Sequence, residues 1–164
     1  MTFSNPDQHR LQAAEGWLDL GDWQSANDEL ENIDPELRAH PDVLKIRFHI
    51  CSAAKNWELA LVVAEALVKY LPDDVEPWIH RSFALHEMKR TGEAQEQLLP
   101  AQEKFPAEWI VRYNLACYAC QLGQREEARQ LLQRAVELGD PTKVKLMALD
   151  DPDLAPLWTE EQRI

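Results

Sequence analysis

The stretch GDWQSA at residues 21–26 and the stretch KNWELA at residues 55–60 both place a tryptophan three positions before an alanine. The alanine recurs as Ala26, Ala60, Ala94 and Ala128, each 34 residues after the last. A constant period of this length marks a helix-turn-helix unit used again and again, because one such unit cannot bury its apolar face alone and does so against its neighbours. One supersecondary unit is used four times.

Other columns keep this phase. Leu20, Ala54, Met88 and Leu122 come six residues before the alanine, followed by a turn position held by Gly21, Lys55, Lys89 and Gly123. After the alanine come Leu30, Ala64, Leu98 and Leu132, then Ile33, Leu67, Ala101 and Ala135. Spacings of three, four and seven put these residues on one face of a helix, so the second helix of each unit is amphipathic. The alanine sits where the two helices of a hairpin approach closely and a larger side chain would push them apart. Asp22, Asn56 and Thr91 are the expected N-caps of the second helices. Pro72 and Pro106 end two of these helices, and Asp74 starts the next first helix. Pro100 falls inside a second helix, removing one hydrogen bond at a cost of about 3 kcal/mol unless the helix bends, so a kink is expected there.

These columns resemble the tetratricopeptide repeat, whose unit carries W-x2-L-G-x2-Y, A, F, A and P. The fourth unit matches through Tyr113-Asn114-Leu115-Ala116, Gly123, Ala128, Leu132 and Ala135, and the third through Trp78, Ala94, Leu98, Ala101 and Pro106. The first is atypical at its start, and Asp34-Pro35 cuts its second helix short. The resemblance covers residues 8–138. RYNLACYACQLGQREEAR and LDDPDLAPLW are also similar to small bacterial tetratricopeptide proteins that end in a short acidic cap, a likeness that carries no specific activity. The resemblance implies an all-α fold: a right-handed superhelical solenoid of about four helical hairpins in a single domain. The repeats run approximately 8–40, 41–74, 75–108 and 109–142, and a C-terminal cap occupies 143–164. In that cap, residues 143–149 are expected to form a solitary helix, with Asp151-Pro152-Asp153 turning and Leu157-Trp158 docking back to cover the open core end.

Bulk properties narrow the function. The chain has 164 residues, 45% of them hydrophobic, which is enough for a packed core. A formal charge of −12 with no basic run opposes binding to nucleic acid or to anionic lipid. The longest apolar run, Leu59 to Val68, is interrupted by Glu65 and too short to span a bilayer, and MTFSNPDQHR lacks a basic-then-apolar leader. The expected location is the cytoplasm. Three cysteines in helical patterns then read as reduced thiols.

Catalytic signals are absent. There is no glycine-flanked nucleophile elbow and no phosphate-cradling loop among the five glycines. Cys117 and Cys120 supply only one helical pair toward a zinc site that needs three or four ligands, so cysteine is read as an apolar filler, and no metal and no cofactor are expected. A remote enzymatic alternative places a site near His49, His80 and Cys117. Trp17, Trp23, Trp57 and Trp78 occupy structural columns and are expected in the core, whereas Trp109 and Trp158 lie near helix ends and are more open to a partner. Arg47 and Arg81 replace the usual leucine of the unit and are expected to pair with an acid of an adjacent helix. Glu126-Glu127 and Glu160-Glu161 read as solvated faces.

What remains is a non-catalytic protein-binding module that holds a peptide or helix on the concave face of its first helices; the alternative is a chaperone or assembly factor shielding an apolar client segment. Unit positions 5, 9 and 12 should face that side: Leu11, Glu15, Leu18, Lys45, His49, Ser52, Ile79, Phe83, His86, Tyr113, Cys117 and Cys120. Only Glu15 is acidic among them. The expected groove residues are Lys45, His49, Ile79, Phe83, His86, Tyr113, Asn114 and Cys117, a pattern suited to an apolar peptide carrying an acidic group. The same side chains could instead pack on the chain's own tail or on a second copy, so a homo-oligomer stays open. The family's carboxylate clamp is matched only by Lys45, its other places holding His49, His80, Ile110 and Asn114.

Overall fold

The computed structural model describes residues 2–158, so the Glu160-Glu161 pair lies outside the described residues. All regular structure among them is helical. The helices are α1 (Asn5–Asp19), α2 (Trp23–Glu31), α3 (Pro41–Ala53), α4 (Trp57–Tyr70), α5 (Val75–Glu87), α6 (Thr91–Leu98), α7 (Ala101–Lys104), α8 (Trp109–Gln121), α9 (Arg125–Leu138) and α10 (Pro141–Asp150), with 3-10 turns at Pro35–Leu37 and Ala155–Leu157. Second helices begin at residues 23, 57, 91 and 125, in the same 34-residue phase as the alanines. This is the all-α repeat of helical hairpins plus a terminal capping helix that the sequence implies.

Each hairpin turn is built the same way. Gly21, Lys55, Lys89 and Gly123 have φ of 78, 54, 64 and 80°. Their amides donate to Leu18, Ser52, His86 and Cys120, and the amides of the next residues reach back to Trp17, Cys51, Leu85 and Ala119. That pair of bonds closes a helix with a left-handed residue after its last turn, satisfying carbonyls that would otherwise be orphaned. The turn column is therefore a backbone requirement, met by glycine twice and by lysine twice.

The chain forms two compact units, one up to Ala84 and the other from Leu85 onward. In the first, Ala26 and Ala60 are fully buried, as are Leu30, Ala64 and Leu67 of the same columns. Ile33 is buried too, although α2 has already ended at Glu31, because Asp34-Pro35 turns the chain into the 3-10 segment. Asp22 and Asn56 cap α2 and α4 through the amides of Ser25 and Leu59, and Asp74 accepts from the amide of Glu76 at the start of α5. Arg47 pairs with Glu31 at 3.1 Å. Arg81 lays its guanidinium over the Trp78 ring 5.0 Å from the centroid and also feels the Glu65 carboxylate. Trp17 departs from the core expectation at 38% exposed: an indole outgrows the slot that Cys51 fills in the next unit of the same column.

In the second unit Ala94, Leu98, Ala101, Ala128 and Ala135 are fully buried and Leu132 nearly so. Thr91 is not the cap of α6. It is the first helical residue, Arg90 takes the cap position without a side-chain bond, and the Thr91 hydroxyl is engaged by His86 at 2.9 Å. Pro100 interrupts the helix between α6 and the single turn α7 while its own backbone stays helical, and Ala101 stays in its buried column. Trp109 and Trp158 are both half-buried, each with one side docked on the chain. Trp109 packs so closely on Gly139 that a Cβ there would stand 2.9 Å from its Cγ, and the Trp158 indole N–H donates to the Ala148 carbonyl at 3.2 Å.

Candidate functional site

In the first unit, successive first helices line a groove of about 590 Å³. Glu15, Leu18 and Asp19 come from α1, Lys45, Ile46, His49 and Ser52 from α3, and Glu76 from α5. Asp19 stands one turn beyond Glu15, and Glu76 one turn before His80, so both join this side by helical geometry. The groove thus carries three carboxylates against one lysine, a correction to the expectation of a face nearly free of acids. The lysine is also committed: its ammonium lies 3.1 Å from Asp74 and 3.9 Å from Glu76. The hydrogen bond from Lys45 to Asp74 raises the lysine pKa. Burial pushes the Asp74 carboxyl up, but the Glu76 amide and Lys45 together hold it below the usual carboxylate range.

His49 is exposed and His80 half-buried. Their rings meet edge to face with centroids 5.2 Å apart, while His80 stacks on Phe48 at 4.0 Å and 9°. Burial first, and His49 beside it second, lower the His80 pKa to about 4, so this imidazole is neutral at ordinary pH. Ile79 is half-buried, and its carbonyl accepts from the Ser82 hydroxyl. Phe83 meets Trp57 edge to face at 5.5 Å.

The other expected residues lie in the second unit, where the chain's own tail reaches His86, Tyr113 and Cys117. The Tyr113 hydroxyl donates to Asp151 Oδ2 at 2.8 Å, and the Cys117 thiol reaches the same oxygen at 3.6 Å. His86 Nε2 lies 2.8 Å from Asp153 Oδ2, and Gln121 donates to the Asp153 carbonyl. Leu154 and Leu157 are buried behind these polar contacts. Burial, then the neighbouring aspartates, push the Cys117 thiol up, and burial followed by the Asp151 hydrogen bond raises Tyr113. Asn114 donates to the Ile110 carbonyl one turn back at 2.9 Å. Cys51, Cys117 and Cys120 are all free thiols and buried, as fillers are. Cys117 is held by the tail.

Sequence reasoning missed Asp19 and Glu76 in the groove, Asp74 as the partner of Lys45, and Asp151 and Asp153 on the second unit. The i, i+4 spacing of Glu15 with Asp19 and of Glu76 with His80 was the available signal; nothing local announced the tail contacts, which span more than thirty residues.

No protein-family model and no curated protein sequence matches the chain. Solved structures do. The thermophilic TPR protein TTC0263 of Thermus thermophilus is 19% identical, with a TM-score of 0.76 over 96% of this chain and 84% of that one. MamA, from residue 41 on, of Desulfovibrio magneticus RS-1 is 17% identical, with a TM-score of 0.74 over 99% of this chain and 94% of that one. YrrB, described as a TPR protein with an unusual peptide-binding site, is 20% identical, with a TM-score of 0.71 over 88% and 75%. At these identities the likeness is one of fold, and the fold is that of the tetratricopeptide repeat. Among the described residues no helix is long and apolar enough to cross a membrane.

Proposed function

We propose that this chain is a non-catalytic protein-binding module whose first-unit groove holds an extended segment of a partner. The observation that carries the reading is the groove itself: an open concavity on consecutive first helices, with apolar Leu18 and Ile46 beside Glu15, Asp19 and Glu76. Because Lys45 is engaged by Asp74, the charge left for a ligand is negative. The fitting segment carries an apolar side chain and a lysine or arginine, rather than the acidic group that Lys45 alone suggests. The tail on the second unit supports peptide holding from within the chain, since it is a short turn and 3-10 segment held on the first helices α5 and α8 by two aspartates, with two buried leucines. The fold neighbour described as having a peptide-binding site is a further support by analogy.

Selection from a displayed random-peptide library, carried out in chelator, tests this. The expected result is a set of enriched peptides with basic and apolar residues that bind the wild-type chain and lose at least tenfold in affinity to the double variant Glu15→Lys, Asp19→Lys. Both positions lie at the surface of α1, so the variant keeps the fold and its circular dichroism. Enriched peptides that bind wild type and variant alike, or no enrichment, would remove the groove as the binding site.

A further inference from the structure

We propose that His49, Glu76 and His80 form a binding site for a divalent transition-metal ion of the zinc class at the edge of the first-unit groove. One donor atom from each residue lies within 4.8 Å of the others. Glu76 and His80 are one turn apart on α5, with Oε1 and Nε2 separated by 3.8 Å, and His49 comes from α3. In a tetrahedral site with bonds of about 2.1 Å, donors stand about 3.4 Å apart. The closure needed is at most about 1.4 Å, within reach of side-chain rotation in the flexible Glu76 and the exposed His49. His80 is the fixed member, oriented by its stack on Phe48.

A simpler structural role does not account for this grouping. Among the described residues neither imidazole makes a hydrogen bond: His80 Nε2, the atom on the Glu76 side, stands 3.8 Å from that carboxylate, beyond hydrogen-bonding distance, and its Nδ1, which a metal on Nε2 would leave unpaired, has no partner either. Three metal-ligating groups are thus gathered without satisfying one another. The carboxylates of the groove favour a cation, and the opposing charge of Lys45 is already held by Asp74, so Glu76 is free to turn from it.

Donor chemistry selects the ion. Two imidazole nitrogens and one carboxylate oxygen are the three-ligand set of an open zinc site with water in the fourth place; nickel and copper share a preference for imidazole, and calcium and magnesium do not. The second shell sets the strength. A metal-bound histidine ordinarily donates its other N–H to an acceptor, and the loss of that partner costs about 10–100-fold in affinity. Since His80 Nδ1 has no such acceptor, binding is expected at micromolar rather than nanomolar strength.

The test is titration of zinc chloride into the metal-free, untagged full chain, followed by calorimetry. One equivalent per chain is expected, with at least tenfold weaker binding in His49→Ala and in Glu76→Gln, and none in the double variant His49→Ala, His80→Ala. The variant His9→Ala, His40→Ala should bind as wild type does. Cobalt chloride gives an independent readout, the intense visible bands of tetrahedral coordination, lost in the same variants. Because His49 is exposed, its replacement leaves the fold intact and keeps the test decisive if His80→Ala unfolds. Absence of binding at 100-fold excess zinc, or binding unchanged in His49→Ala, overturns the site. Peptide selection in chelator is independent of this result, so the two readings stand or fall separately.

Discussion

At the scale of single residues, the turn column separates what side-chain pattern encodes from what the backbone demands. Gly21 and Gly123 hold positive φ without strain, and nothing crowds their missing Cβ. Lys55 and Lys89 adopt the same left-handed conformation with a Cβ, which costs on the order of 1–2 kcal/mol per residue. Replacing Lys55 or Lys89 with Gly should therefore raise stability by up to about 1 kcal/mol, the gain being trimmed by the greater freedom of glycine in the unfolded chain. Gly123→Ala should lower stability by about 1 kcal/mol, strain outweighing space. Urea melts of the three variants check both signs together; a loss of stability in Lys55→Gly would show that the lysine side chain, not the backbone, is what the position needs. The alanine column was equally legible, since Ala26, Ala60, Ala94 and Ala128 are all fully buried. The site was less so. Lys45 looks available in the sequence because its partners Asp74 and Glu76 lie about thirty residues away, beyond a helix and a turn, where only folded geometry brings them to 3.1 and 3.9 Å.

At the scale of elements, the periodic pattern placed every hairpin but not its irregularities. A 34-residue phase reports which residues face the core, and α2, α4, α6 and α9 begin in that phase. Caps are a finer matter. Thr91 has the right side chain one position too late, so His86 claims its hydroxyl instead of the helix amides. Pro100 shows a kink that the column survives. The proline has φ −61° and ψ −23°, helical values that alanine shares, and Ala101 beyond it remains fully buried. Pro100→Ala restores one amide donor to the break between α6 and α7, worth as much as about 3 kcal/mol in a continuous helix, against a loss of about 1 kcal/mol from a freer unfolded chain. The expected outcome is a higher melting temperature and a small gain in helical circular dichroism. A lower melting temperature would mean that the bend is required by the packing around Leu98 and Ala101.

At the scale of the molecule, the two units finish their first-helix faces differently: the first leaves a groove open, and the second is covered by residues 151–158. That difference was only half legible. Leu157 and Trp158 read as a docking tail because an apolar pair after a turn at a repeat end has few other uses, and Leu157 is indeed 2% exposed. Where the tail would land was not encoded locally, since Tyr113 meets Asp151 across 38 positions and His86 meets Asp153 across 67. The covering also has apolar substance. Leu154 and Leu157 are buried, and a cavity of about 420 Å³ lined by Leu132, Val136, Ala148 and Leu157 lies where the tail meets α9 and α10. Ending the chain at Asp150 uncovers that surface, removes the Asp151 partner of Tyr113 and the Asp153 partner of His86, and leaves the Ala148 carbonyl without the Trp158 donor. Fully burying two leucines is worth about 1.5–3 kcal/mol each. A truncated chain should therefore lose at least about 3 kcal/mol in chemical denaturation, bind a hydrophobic dye in its native state and tend to associate. The double variant Asp151→Asn, Asp153→Asn keeps the leucines, so it should lose much less and bind no dye. A truncated chain that remains monomeric, dye-free and as stable as the full one would mean that the tail contributes nothing to the second unit's fold and is free to serve a partner instead.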